Sequence, residues 1–249
     1  MALYYKEYGM DKSPLMVFIH GGGVSGWMWD KQVNHFSTNF HCLVPDLPEH
    51  GQSKGNSLFT IHSSAERIID LMEEKGKGKP VIAIGFSLGA QVLIAMLGMK
   101  PDVADYAMIN SALVKPIPFS RVIVKMLAFS HPLIKNKTFS NIQAKSMYIP
   151  ESYFDIYYEE SCQMSKDTFM RVMEENMSFT IPNNFENATG HILATVGEKE
   201  KKIMKQSMSA IVDSHPNCEG MVIPGMGHGF SLADPEGFHQ LVENWLNEQ

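Results

Sequence analysis

A chain of 249 residues with 44% hydrophobic and 19% charged side chains is long enough for one large domain or two small ones, and too apolar to be disordered. Its formal net charge of −6 leaves no basic footprint for nucleic acid, and its apolar runs fall well short of the ~20 residues of a membrane-spanning helix. The first residues lack the basic and apolar stretches of a secretory signal, so a cytoplasmic location is expected; three scattered cysteines, Cys42, Cys162 and Cys218, predict neither a disulfide framework nor a metal site.

Leu15–His20 (LMVFIH) is the first apolar run, and it ends in glycines; Phe40–Pro45 is the second. Ile61, Ala65, Ile68, Ile69 and Met72 recur at helical spacing and predict a helix over Ile61–Lys75. Val81–Phe86 (VIAIGF) reads as a third strand, followed by a helix over Leu88–Met99 and a fourth strand over Tyr106–Asn110. After a long interruption come strand His191–Val196, helix Glu200–Val212, strand Gly220–Ile223 and helix Pro235–Gln249, the last introduced by Asp234 as cap and proline at its first turn. Short apolar runs bounded by Gly, Pro, Asn or Asp suit strands buried on both faces. Their alternation with helices predicts an α/β fold with helices covering a mostly parallel sheet.

The rhythm breaks between residues 113 and 189. Aromatics and methionines crowd this stretch, among them Phe119, Met126, Phe129, Met147, Tyr157, Met164, Phe169 and Met173. An ordinary helical subdomain with its own core explains them, and so does a helical insertion that walls an apolar pocket over the carboxyl edge of the sheet.

Two motifs compete for the functional reading. Gly21-Gly22-Gly23-Val24-Ser25-Gly26 matches the dinucleotide fingerprint G-x-G-x-x-G after a strand, with Asp46 about 20 residues further on, where a ribose-binding carboxylate belongs. Trp27, Met28 and Trp29 are bulky where that motif needs close helix–strand packing. The second motif is Gly85-Phe86-Ser87-Leu88-Gly89, a G-x-S-x-G between a buried strand and a helix. A serine on such a bend needs neighbours nearly free of side chain two residues to either side, and the helix beneath it favours a developing negative charge. Ser87 is therefore the candidate nucleophile, and the Leu88 amide a donor to an oxyanion.

With His20-Gly21-Gly22-Gly23, the Asp46–Ser53 stretch, Gly85–Gly89 and Gly225-Met226-Gly227-His228-Gly229 on the page, the chain resembles the α/β-hydrolase superfamily. The resemblance implies an eight-stranded, mostly parallel sheet, built from residues 1–112 and 190–249, with a helical cap of residues 113–189 inserted after the sixth strand. Glu49 stands where glycine is common in this family, at a loop position expected to be near the site without taking part in the chemistry.

By the family's chain order of serine, acid and histidine, His228 is the base. Position by position, Glu200 takes the place of the acid, with Glu198 as its substitute; the alternative acid position of some members holds Asn110-Ser111 and supplies no carboxylate. Gly22, with Gly23 beside it, takes the place of the second oxyanion donor. The function implied is a carboxylesterase-like serine hydrolase of a small carboxylic ester or related acyl compound with an apolar portion, with no metal or organic cofactor and with neither nucleic acid nor membrane as partner. C–C bond hydrolysis and perhydrolysis use the same residues, and a slow or non-catalytic hydrophobic-ligand sensor uses the same scaffold.

Overall fold

All five residues of Leu15–Ile19 are fully buried, as a strand covered on both faces must be. The structure, a computed structural model, describes residues 3–55 and 57–248, so the last residue of the expected C-terminal helix, Gln249, lies outside the described residues. Strands β1 (Tyr5–Tyr8), β2 (Leu15–Ile19), β3 (His41–Pro45), β4 (Val81–Phe86), β5 (Tyr106–Asn110), β6 (His191–Gly197) and β7 (Cys218–Ile223) form one sheet in the order β1-β3-β2-β4-β5-β6-β7. Every pairing is parallel except β1 with β3, which sets Tyr5 opposite Pro45. The expected eight strands are seven among the described residues. Between Leu3 and Leu15 there is room for one strand and a turn, and β1 supplies the single antiparallel edge.

Alternate residues of β2 feed two cores. Leu15, Val17 and Ile19 face helices α2 (Ile61–Lys75), α3 (Leu88–Met99) and α8 (Lys202–Asp213). Met16 and Phe18 face α1 (Asp30–Phe36) and the C-terminal α9 (Phe230–Ala233) and α10 (Pro235–Asn247), where Trp29, Phe36, Phe230, Phe238 and Trp245 are packed. Helix α3 has almost no polar face because it is covered all round, with only Met99 exposed along its length. Helix α2 starts at Thr60, whose hydroxyl accepts from the Ser63 amide, and α10 starts at Asp234, which accepts from the Gly237 amide.

Between β5 and β6 the chain forms α4 (Ser120–Ser130), α5 (Lys137–Ser146), α6 (Phe154–Gln163) and α7 (Lys166–Ser178), with 3-10 turns and no strand among the described residues. The insertion thus follows the fifth strand of this chain, where the resemblance placed it after the sixth. Its final turn, Asn183–Asn187, returns to the main core, and Phe185 is fully buried beside α3.

Candidate active site

The site grows from the bend between β4 and α3. Ser87 sits at φ 53° and ψ −110°, and its amide donates to the Asn110 carbonyl at 2.8 Å, which ties the bend to the neighbouring strand. A Cβ on Gly85 would lie 2.6 Å from the Gly89 carbonyl oxygen; one on Gly89 would lie 2.3 Å from that of Ile19 and 2.5 Å from that of His20. Backbone against backbone leaves nothing to yield, which is why both flanking positions are glycine. The bend lies where the strand order diverges, β2 leading toward β3 and β4 toward β5, at the crevice that such sheets open beyond their carboxyl ends.

The loop after β7 carries His228 to this bend. Its Nε2 lies 2.9 Å from Ser87 Oγ, and its Nδ1 lies 2.7 Å from Glu200 Oε2. A carboxylate only accepts, so Nδ1 carries the proton and Nε2 presents its lone pair to the serine hydroxyl. Phe86 backs the imidazole, with ring centroids 5.1 Å apart. Glu200 was expected to open a helix; it lies instead in the turn before α8, with its side chain 3% exposed. Its Oε1 accepts from the Gly197 amide at 2.9 Å and from Ser111 Oγ at 2.7 Å. Burial alone would raise its pKa, but His228, the Gly197 amide and Ser111 together hold the carboxyl below its ordinary range. Glu198, the substitute, caps the Gly225 amide at 2.8 Å on the exposed side of the same turn.

Ser111 is the residue that sequence reasoning set aside. Its position at the end of β5 supplies no carboxylate, yet at φ 57° it turns its hydroxyl onto the carboxylate that arrives from β6. The parallel β5–β6 register, Asn110 beside Thr195, is the signal that places the two strand ends together.

Because folding depresses the Glu200 pKa, its ionised form contributes stability that is complete above the ordinary carboxylate range and is lost as pH falls through the lowered folded value. Glu200→Gln should therefore destabilise the chain most near neutral pH, with the gap from wild type shrinking in acid. Urea unfolding midpoints of both proteins across that range check it.

Gly22, Gly23, Ser87 and Leu88 line one cavity of about 250 Å³, roofed by Met147, Tyr157, Met164, Phe169, Val172 and Met173 from the inserted helices. The expected apolar wall is real for these residues; Phe119, Met126 and Phe129 instead face solvent, at 83%, 67% and 82% exposure. Leu88 is the first residue of α3, so its amide belongs to the helix end that has no intrahelical partner.

The carboxylate that follows the glycine loop in the dinucleotide pattern has both oxygens engaged by backbone amides. Asp46 accepts from the Gly26 amide at 2.9 Å and the Gln52 amide at 2.8 Å, bracing two loops. His20 is buried and neutral, its pKa pushed by burial to about 4; Nδ1 donates to the Gly21 carbonyl and Nε2 accepts from the Leu47 amide. Among other nucleophile candidates, burial pushes the Cys42 and Cys218 thiols up to about 12. Among the described residues no group of three or more His, Cys, Asp or Glu is placed to hold a metal ion.

Glu49 has a larger part than its sequence position suggested. Held at φ 63°, it accepts from Arg171 Nε at 3.1 Å and Nη2 at 3.0 Å, from Thr168 Oγ1 at 2.8 Å, and from the Phe59 amide at 2.8 Å. It thereby clamps the loop after β3 to α7. Two more carboxylates cross the same boundary: Glu160 accepts from Ser25 Oγ and Trp27 Nε1, and Glu175 from the Ile61 amide at the start of α2. Arg171→Met leaves Glu49 half-partnered and should cost about 1–2 kcal/mol, read as a lower urea midpoint.

A parallel sheet with this strand order, a serine on the bend after its central strand, and an imidazole and carboxylate aligned behind it define an α/β protein of hydrolase type. The chain belongs to the alpha/beta hydrolase family, whose profile matches residues 16–241. Over 90 residues it is 31% identical to a pimeloyl-acyl-carrier-protein methyl ester esterase of Proteus mirabilis, a match covering 36% of this chain and 33% of that protein. Across three curated relatives the chain spans about a third of their length, from 33% to 38%. An esterase from Exiguobacterium antarcticum superposes with a TM-score of 0.83 at 14% identity, over 98% of this chain and 95% of that one. The enol-lactonase from Burkholderia xenovorans LB400 superposes at 0.81 with 16% identity, over 98% and 96%. These structures share the fold of this chain. Among the described residues no helix is long and apolar enough to cross a membrane.

Proposed function

We propose that the protein is a serine hydrolase of small carboxylic esters or related acyl compounds, with Ser87 as nucleophile, His228 as base and Glu200 as orienting acid. The observation that carries this reading is the 2.9 Å contact between Ser87 Oγ and His228 Nε2, with Glu200 at 2.7 Å behind the same ring. Ser87 Oγ attacks the substrate carbonyl carbon as its proton passes to Nε2. The Leu88 and Gly22 amides take the oxyanion of the tetrahedral intermediate. Collapse breaks the ester C–O bond, and the imidazolium gives its proton to the departing alcohol. Water, deprotonated by the same Nε2, then attacks the acyl-serine carbonyl, and its collapse returns the proton to Ser87 and frees the acid.

Residues 113–189 act as a cap in this reading, and the methionines and aromatics they place over Ser87 favour an apolar acyl or alcohol portion. The pocket volume suits a short chain. A non-catalytic sensor has no need of an acid behind the imidazole, whereas here Glu200 engages His228 at 2.7 Å. The test is a panel of p-nitrophenyl esters, thioesters, amides and lactones on wild type and Ser87→Ala, beside fluorophosphonate labelling. Turnover of short esters and labelling of the wild type alone are expected. A wild type that neither turns over any member nor takes the label refutes the reading.

A further inference from the structure

The inserted helices carry an apolar face that the pocket does not use. On α4, Val124 and Ala128 are buried, whereas Val122, Met126 and Phe129, with Phe119 just before the helix, recur at three- and four-residue spacing. At about 100° per residue these four lie roughly opposite the buried pair, so the face looks straight away from the protein. Leu133 continues the stripe at 49% exposure, and Ile134, one residue on, lines the cavity over Ser87. Phe119 is both 83% exposed and held at φ 57°, a backbone region costly for a bulky side chain and here unrewarded by any burial.

Charge says what covers this face. In a chain of net charge −6, no Asp or Glu occurs between Asp105 and Glu151, whereas Lys115, Arg121, Lys125, Lys135, Lys137 and Lys145 do, all exposed. Lys166 joins them from α7, its ammonium 5.6 Å over the Phe129 ring, with Asp167 next to it in the chain. Apolar side chains flanked by cations are what a helix needs to lie in the headgroup region of an anionic bilayer. A second copy seated on the same face would bring these cations against each other.

We propose that α4 docks on an anionic lipid surface, with Phe119, Met126 and Phe129 in the interface and Arg121 and Lys125 among the headgroups. Attachment of this kind needs no spanning helix, so the missing spanning stretch and the net negative charge do not bear against it. The binding is read without turnover and stands apart from the proposed chemistry.

The experiment is flotation of the full chain with vesicles of equal parts phosphatidylglycerol and phosphatidylcholine, and with phosphatidylcholine alone. Wild type should float with the mixed vesicles at low salt, and about 0.5 M salt, which shortens the screening length to a few ångströms, should release it. Phe119→Ser/Phe129→Ser and Arg121→Glu/Lys125→Glu should each lower the bound fraction about tenfold or more, with unchanged circular dichroism as the folding control. The proposal is overturned by wild type that stays unbound, by equal binding to neutral vesicles, or by folded variants that bind as wild type does. Sedimentation velocity showing a dimer that the Phe119→Ser/Phe129→Ser variant dissolves would assign the face to a second copy and overturn it as well.

Discussion

Replacing Ser87 with alanine should lower kcat for a short p-nitrophenyl ester by roughly 10⁵–10⁶-fold while leaving the fold intact. The hydroxyl donates to His228 Nε2 and to no other group described here, so its loss removes the attacking atom without orphaning a buried partner. His228→Ala should cost about as much, and the Ser87→Ala/His228→Ala double variant little more than either, because hydroxyl and imidazole work as a unit. Glu200→Gln is expected to fall between, at roughly 10³–10⁴-fold, since an amide in that position favours the wrong imidazole tautomer. Kinetics of the four variants on one ester check all of this; additive losses would separate the serine from the histidine.

The second large effect belongs to a residue with no side chain. Gly89→Ala would set a methyl 2.3 Å from the Ile19 carbonyl oxygen and 2.5 Å from that of His20, fully buried backbone at and just past the end of β2. The helix must back away from β2, at a cost of about 3–5 kcal/mol. Ser87 moves with it, and a displacement of ~1 Å costs on the order of 10²-fold in rate. A lower thermal midpoint together with a fall in kcat is therefore expected. A variant with wild-type stability would mean that β2 and α3 lie further apart than described.

Most of the sheet was legible because strands buried on both faces must be apolar throughout. The runs at Leu15, Val81, Tyr106 and His191 admitted little else, and each falls in a strand. Strand β1 was not legible: Tyr5-Lys6-Glu7-Tyr8 is a half-buried edge whose pairing with β3 depends on tertiary contact, not on local pattern. The start of α8 is not legible because Glu198–Lys202 is uniformly charged and carries no period; the expected helix begins at Glu200, two residues before the observed Lys202.

The serine and histidine of the site were readable from their glycine-flanked settings. Their supports were not. Ser111 and Glu49 act through partners that are distant in sequence, 89 residues away for Ser111 and Glu200, and 122 for Glu49 and Arg171. Glu49 reads from the sequence as a loop residue near the site without a part in the chemistry; what the sequence does not reveal is that its carboxylate holds α7. Nor could spacing alone say which methionines and aromatics of the insertion face inward, since α4 is apolar on both sides.

Glu49, Glu160 and Glu175 are stitched from opposite sides of one seam, so lifting the four helices as a block would strand three carboxylates at once. The part of the roof that α6 and α7 carry over Ser87 is thus tied to the main core at three points. Acid would loosen Glu160, where burial and the nearby Asp46 already favour the protonated form, before Glu49, whose carboxyl Arg171 holds below its ordinary range.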